Sequence, residues 1–361
     1  MRSIDAFRGA VLAFMVLTPA TGDPATFPFL RHAAWDGLTA SDLVLPTFLV
    51  TSGLSLAFLL RPPVRRRKVV RLVRRLALLV VLGLVYNAYG ATGTDISSLR
   101  YTGVLQTIGV AGFLAAVVVL LTRRGDRDRP WAIAGVAVAL PALYGTGLHV
   151  FADRCAGEDR CSPYVELDRT LLGPAHTYGA GELGWDPEGI AATVAASALV
   201  LVGYLAGRRL VGARSLGRVV ASTVAAAGAL LALAWALDDL QPVNKRLLTP
   251  AFVAVSSGVA LLGISLFVLL LDVGGRRGRA RSPVELLVAL GRNALVVYLL
   301  ERFLLQTSTL VHVGDRTLRE VVLDELPVGE PGVHLAFTGL LLAVVVAVTT
   351  ALHRRQRYLA L

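Results

Sequence analysis

Residues 102–121 read Thr102-Gly103-Val104-Leu105-Gln106-Thr107-Ile108-Gly109-Val110-Ala111-Gly112-Phe113-Leu114-Ala115-Ala116-Val117-Val118-Val119-Leu120-Leu121. No charge interrupts the run, and about 20 apolar residues in a helix cross a bilayer core of roughly 30 Å. Similar runs lie to both sides. The expected spans are 4–21, 42–60, 76–92, 102–121, 131–150, 188–207, 219–237, 249–271, 284–305 and 333–352. They are continuous rather than alternating, which excludes a closed β-barrel. The fold class is all-α, a polytopic integral membrane bundle of about ten transmembrane helices. Across 361 residues, 55% are hydrophobic and the mean hydropathy is +0.64, so a soluble domain has no room. Residues 1–361 are expected to form one transmembrane domain, without repeats or a low-complexity tail. The first span has no small-residue cleavage site and is expected to be retained.

Basic residues set the expected orientation. With both termini inside, the inner segments 61–75, 122–130, 208–218, 272–283 and 353–361, together with Arg2 and Arg8, hold 25 of the 36 Lys and Arg. The outer segments hold nine, and Arg292 and Arg302 fall in the ninth span. The net charge of +11 therefore belongs to short inner loops and does not call for nucleic acid. The run from Arg61 to Lys68 is topological, with anionic headgroups of the lipid bilayer as its natural neighbours. Cys155 and Cys161, the only cysteines, share the long outer loop 151–187, where an oxidising compartment favours a disulfide. No histidine stands at zinc-like spacing beside them, and no metal is expected.

The most informative loop, 22–41, joins the first two spans. It carries His32, Trp35 and Asp36, and Asp42 opens the second span. An imidazole titrates near neutrality and can accept and return a proton in acyl transfer, or carry the acyl group itself. Asp36 and Asp42 are near enough in sequence to orient it or to stabilise its cation. The plainer reading is an interfacial histidine beside a headgroup-belt tryptophan.

Other polar groups sit at span ends or within spans. Asp5 and Arg8, spaced i, i+3, can pair on one helix face. Asp168-Arg169 precedes Gly173-Pro174-Ala175-His176-Thr177-Tyr178 and Trp185-Asp186-Pro187-Glu188-Gly189. Asp186 and Pro187 read as a helix cap with Pro at the first helical position. His176 and Tyr178 have no such explanation and suit a hydroxylated ligand. Asn244 and Lys245 are donors for a polar substrate or phosphate, or ordinary loop residues. Gln106 lies early in the fourth span, and Asn293 a third of the way into the ninth, where helix–helix hydrogen bonding is the plain alternative.

Taken in order, these segments resemble the heparan-α-glucosaminide N-acetyltransferase family and its bacterial relatives. The resemblance is carried by Ser3-Ile4-Asp5-Ala6-Phe7-Arg8-Gly9, by the His32 loop through Pro46 to Gly53, and by Gly103-Val104-Leu105-Gln106. It continues in Asp168-Arg169 to Tyr178, Asp186-Pro187-Glu188-Gly189, Pro242-Val243-Asn244-Lys245 and Gly291-Arg292-Asn293-Ala294. It implies a multi-pass enzyme that takes an acetyl group from cytosolic acetyl-CoA and passes it across the membrane to an amino sugar. The family's catalytic histidine matches His32. The absence of the extra N-terminal part of the lysosomal enzymes fits the bacterial branch, and so the inner (plasma) membrane of a bacterium.

Under that resemblance His32, Asp36 and Asp42 are the expected catalytic set. Arg8, Gln106, Lys245 and Asn293 are expected to meet the acetyl-CoA co-substrate. Trp35, His176, Tyr178, Asp186, Glu188 and Asn244 are expected to hold a small-molecule or glycan acceptor, and a homodimer is compatible. Two departures stand out. The family usually places asparagine shortly after the position of Met15, where this chain has Leu17-Thr18-Pro19-Ala20, and it commonly has arginine where this chain has Thr107. They leave open another acceptor or another acyl thioester. Two rivals remain at this stage: O-acylation of an envelope glycan or secondary metabolite, and a transporter that moves a small molecule without CoA.

Overall fold

The computed structural model describes residues 1–19, 27–90, 96–155, 158, 160–273, 283–329 and 332–358. Residues 22–26 of the histidine loop and most of the basic segment 272–283 lie outside them. Each expected span coincides with helix: α1 (Arg2–Leu17), α2 (Val44–Leu59), α3 (Arg66–Gly90), α4 (Val104–Thr122), α5 (Pro130–Val150), α7 (Ile190–Val211), α8 (Leu216–Asp238), α9 (Pro250–Val268), the pair α10 (Pro283–Arg292) and α11 (Ala294–Leu310), and α13 (Gly332–Arg354). Two shorter helices, α6 (Val165–Leu172) and α12 (Leu318–Glu325), and a hairpin pairing His312–Val313 with Arg316–Thr317 occupy the connections.

The protein is an all-α polytopic membrane protein, as expected. Among the described residues seven helices are long and apolar enough to cross a membrane, or up to eight if α10 and α11 form one bent span. α1, at 16 residues, is about 24 Å long and falls short of a roughly 30 Å core. α3 is long enough, but Arg66, Arg67, Lys68, Arg71, Arg74 and Arg75 crowd its first three turns. The ninth span breaks at Asn293, where the chain turns by 85°.

The helices gather into two compact units. The first comprises Met1–Ala33, Thr39–Val44 and Gly263–Leu361. Within it α1 packs on α10 at van der Waals distance between backbones. A Cβ on Gly9 would lie 1.8 Å from the Leu287 carbonyl oxygen, and one on Gly291 1.8 Å from that of Asp5. Small residues allow such crossings, and dispersion between the backbones holds them. Asp5, expected to pair with Arg8, binds Arg292 instead (3.1 Å) because the crossing brings α10 alongside it. Arg2 pairs with Glu285. A capping box, Thr317 with Glu320, starts α12.

The second unit comprises Ala34–Leu38 and Leu45–Leu262. Its centre is α7, rich in Ala, with two Gly, and largely buried. α2 crosses it without intervening side chains: a Cβ on Gly53 would meet the Val200 carbonyl oxygen at 1.9 Å, and one on Gly203 that of Val50, also at 1.9 Å. α4 and α5 flank α7, and α3 packs on α4. Asp168 on α6 accepts the Ile190 amide (2.8 Å) and so caps α7 from another helix. At the arginine-rich end of α7, buried Asp128 binds Arg123, Arg208 (2.8 Å) and the Tyr204 hydroxyl (2.8 Å). Cys155 and Cys161 form the expected disulfide, with Cα atoms 5.6 Å apart.

Candidate functional site

In the first unit a short 3₁₀ turn, Ala40–Leu43, begins at Thr39 with a reciprocal capping box. The Asp42 side chain accepts the Thr39 amide (3.0 Å) and hydroxyl (2.9 Å), as well as the Ala33 amide (3.1 Å), through Oδ2. Its other oxygen, Oδ1, lies 2.8 Å from His32 Nδ1. Asp42 is 1% exposed, whereas the imidazole is 54% exposed. A buried, multiply bonded carboxylate thus fixes a solvent-facing histidine. With Asp42 as acceptor, Nδ1 carries the proton and Nε2 is the basic nitrogen, the division of labour of an Asp–His pair in acyl-transfer enzymes. Ser41 donates to the Leu30 carbonyl (2.6 Å) and ties the two ends of this loop together.

The intervening residues 34–38 belong to the second unit. Gly37 donates its amide to the Val243 carbonyl (2.7 Å), and Asn244 Nδ2 donates to Asp36 Oδ1 (3.0 Å). Of the two carboxylates expected to orient the imidazole or stabilise its cation, Asp42 binds His32, and Asp36 pins its loop to the segment before α9. Asn244 is buried, and its Oδ1 accepts the Leu247 amide (2.9 Å), so its side chain is committed on both sides. Trp35 stands edge-on to Trp185 at 5.1 Å, and Arg246 lies over the Trp185 ring at 5.2 Å.

A second buried carboxylate organises the expected acceptor residues. Asp186 accepts Arg100 (2.8 Å), the Thr102 hydroxyl (2.7 Å), and the amides of Tyr178 (3.1 Å) and Glu188 (2.9 Å). Glu188 also binds Arg100, at 2.8 Å. Burial pulls the Arg100 pKa down, but the paired charges of Glu188 and Asp186 outweigh it and hold the guanidinium above its ordinary value. Arg100 lies 4.5 Å over the Tyr178 ring, and His176 stacks on Tyr101 at 4.1 Å while donating Nδ1–H to the Leu99 carbonyl (2.7 Å). His176, Tyr178, Asp186 and Glu188 are thus brought together, with Asp186 saturated by protein donors.

Lys245 and Glu188 line one small enclosed cavity of about 10 Å³, together with Thr107 and Pro46. Gln106 is buried on α4, its Oε1 filling the space beside Gly83 and Gly103. Arg8 sits half-buried on α1 of the first unit. Asn293, 1% exposed, marks the helix break; its Nδ2 donates to the Ala289 carbonyl (3.0 Å), and among the described residues its Oδ1 accepts no hydrogen bond. Thr39 and Arg100 escaped the sequence reading. Thr39-Ala40-Ser41-Asp42 carries the spacing of a capping box and was legible. Arg100 lies 86 positions from its partner, and no local pattern announces it.

Among the described residues no group of three or more His, Cys, Asp or Glu gathers to hold a metal ion. A family model described as an acyltransferase domain matches residues 1–352. This chain belongs to the acyltransferase family. The acyltransferase is also similar to the heparan-alpha-glucosaminide N-acetyltransferases of Homo sapiens, 26% identical over 334 residues, and Mus musculus, 26% identical over 332. Each match takes in 76% of this chain, and the chain spans about half the length of these curated relatives (49% and 50%). The relationship expected from the ordered motifs is upheld, and the protein is a multi-pass membrane acyltransferase.

Proposed function

We propose that this acyltransferase moves an acetyl group from acetyl-CoA to the amine of an amino sugar or a similar acceptor, with His32 as general base. The observation that carries this reading is the His32–Asp42 pair: an imidazole half in solvent, held in one tautomer by a buried carboxylate. The acetyl donor and the amino-sugar acceptor are taken from the relatives, whose names specify N-acetylation of a glucosaminide.

In the reaction the acceptor nitrogen attacks the thioester carbonyl carbon. A C–N bond forms, the C–S bond breaks, and the sulfur leaves as thiolate. His32 Nε2 removes the proton that the attacking nitrogen sheds and returns it to the thiolate, releasing CoA as the thiol. Asp42 does not take the proton; it stabilises the imidazolium and keeps the ring aimed. Asp42 is therefore a positioning residue.

Detergent-purified protein, acetyl-CoA and glucosamine provide the test, with free thiol as readout. Acceptor-dependent CoA release in the wild type that disappears in His32→Ala is the expected result. Equal release from folded His32→Ala would remove histidine from the mechanism. Rapid mixing without acceptor addresses the covalent variant: a stoichiometric burst of CoA would mark an acetyl-histidine and replace the general-base step.

A further inference from the structure

Three arginines of the second unit are paired with buried carboxylates. Arg100 binds Asp186 and Glu188; Arg123 and Arg208 share Asp128. Arg75 differs. It lies in the third turn of α3, about 14 Å along the axis from Arg66. Among the described residues it makes no ion pair or hydrogen bond with the protein. It lines a cavity of about 50 Å³ with Ser52 and Ser55 of α2 and Gly112 of α4, and Leu72 and Leu76 form the apolar wall.

A guanidinium beside apolar walls without a counter-charge is costly, and such groups are found paired. The two hydroxyls now donate to carbonyls of their own helix, Ser52 to Leu49 (2.7 Å) and Ser55 to Thr51 (3.1 Å). Rotation about χ1 re-aims either hydroxyl at a guest. Gly112 keeps the floor open: a Cβ there would come within 3.1 Å of a Leu76 methyl. Five guanidinium donors in a planar fork, flanked by two hydroxyls, match the tetrahedral oxygens of a phosphate.

We infer that this cavity is a binding site for a phosphate group, with Arg75 as its cation and Ser52 and Ser55 as its neutral ligands. The phosphate comes from one of two sources: a phosphate of the acyl donor, an assignment that rests on the acetyl-CoA reading, or the headgroup of an anionic lipid.

The test is thermal unfolding of the detergent-solubilised chain without acyl transfer, at constant ionic strength. One arm titrates inorganic pyrophosphate, and the other compares micelles doped with phosphatidylglycerol or phosphatidylcholine. A rise in Tm of about 3 °C or more in at least one arm is expected at saturation. Arg75→Gln should abolish the rise, Arg75→Lys should keep part of it, and Gly112→Val should abolish it with the charge intact. Arg75→Gln should also unfold no earlier than wild type without ligand, because it removes an uncompensated cation. A pyrophosphate response that acetyl-CoA competes away assigns the site to the donor, and a response to phosphatidylglycerol alone assigns it to lipid. No rise in either arm, or a rise that survives Arg75→Gln, overturns the inference. The readout is independent of catalysis. An inactive chain that still responds counts against the acetyl-transfer reading alone, and an active chain that does not respond counts against this site alone.

Discussion

Asp42 and Asp186 are the same device with different partners. Each carboxylate is almost wholly buried, each accepts backbone amides and a threonine hydroxyl, and each holds one cationic or basic side chain. Asp42 holds a histidine that is half in solvent, a side chain able to act as a general base. Asp186 holds an arginine that stays charged at any working pH, and Glu188 reinforces it. The comparison teaches that carboxylate burial does not mark chemistry. The partner's ability to exchange a proton does. By that criterion the proposed chemistry falls to the Asp42 pair, and the Asp186 cluster is expected to hold its loop in place.

The comparison can be broken most directly at His32. His32→Ala should lower the acetyl-transfer rate by about 10³-fold, and Asp42→Asn by about 10²-fold with the KM for acceptor little changed. If Asp42→Asn raised only KM, Asp42 would be a substrate ligand and the contrast would fail. Asp186→Asn should act on stability instead, costing about 3 kcal/mol because Arg100 loses its best-buried partner, while turnover per folded molecule stays near wild type. Thermal melts beside single-turnover rates separate the two. A loss of turnover in a normally stable Asp186→Asn would return Asp186 to the acceptor site.

A third carboxylate sharpens the contrast through pH. Burial chiefly, with a contribution from the charge of Asp186, pushes Asp168 from 3.8 up to about 6, against the Ile190 amide bond that pulls it down. The folded chain therefore keeps this proton after the unfolded chain has lost it. Stability should fall as pH rises from about 4 to about 6 and then level off, and Asp168→Asn, which still caps α7, should remove that slope. A wild-type minus mutant difference in Tm that stays constant across this range would contradict it. The smallest effect belongs to Asp36→Ala, which breaks one part-buried hydrogen bond to Asn244 and should cost about 1 kcal/mol.

Much of this architecture was legible in the chain because membrane spans announce themselves by length and apolarity alone. α4, α7 and α9 fall within a few residues of their expected bounds. The break at Asn293 was not legible. Residues 284–305 read as one apolar run, and what divides them is a helix that packs on α1 through Gly291, a tertiary event. The disulfide was foreseeable, since both cysteines lie six positions apart in one outer loop. The choice of Asp42 over Asp36 at His32 was partly foreseeable, through the capping box at Thr39. The grip of Arg100 on Asp186 and Glu188, and that of Asp128 on Arg123, Arg208 and Tyr204, join distant or unpatterned positions, and only the folded chain displays them.

The two glycine crossings limit how the molecule can move. With backbone set against backbone, at Gly9 and Gly291 on α1 and α10 and at Gly53 and Gly203 on α2 and α7, each pair has a single registry. Long interdigitated side chains can re-mesh and let helices slide by small steps; a carbonyl seated in a glycine notch cannot. Shear is therefore closed to these pairs, and each travels as one strut.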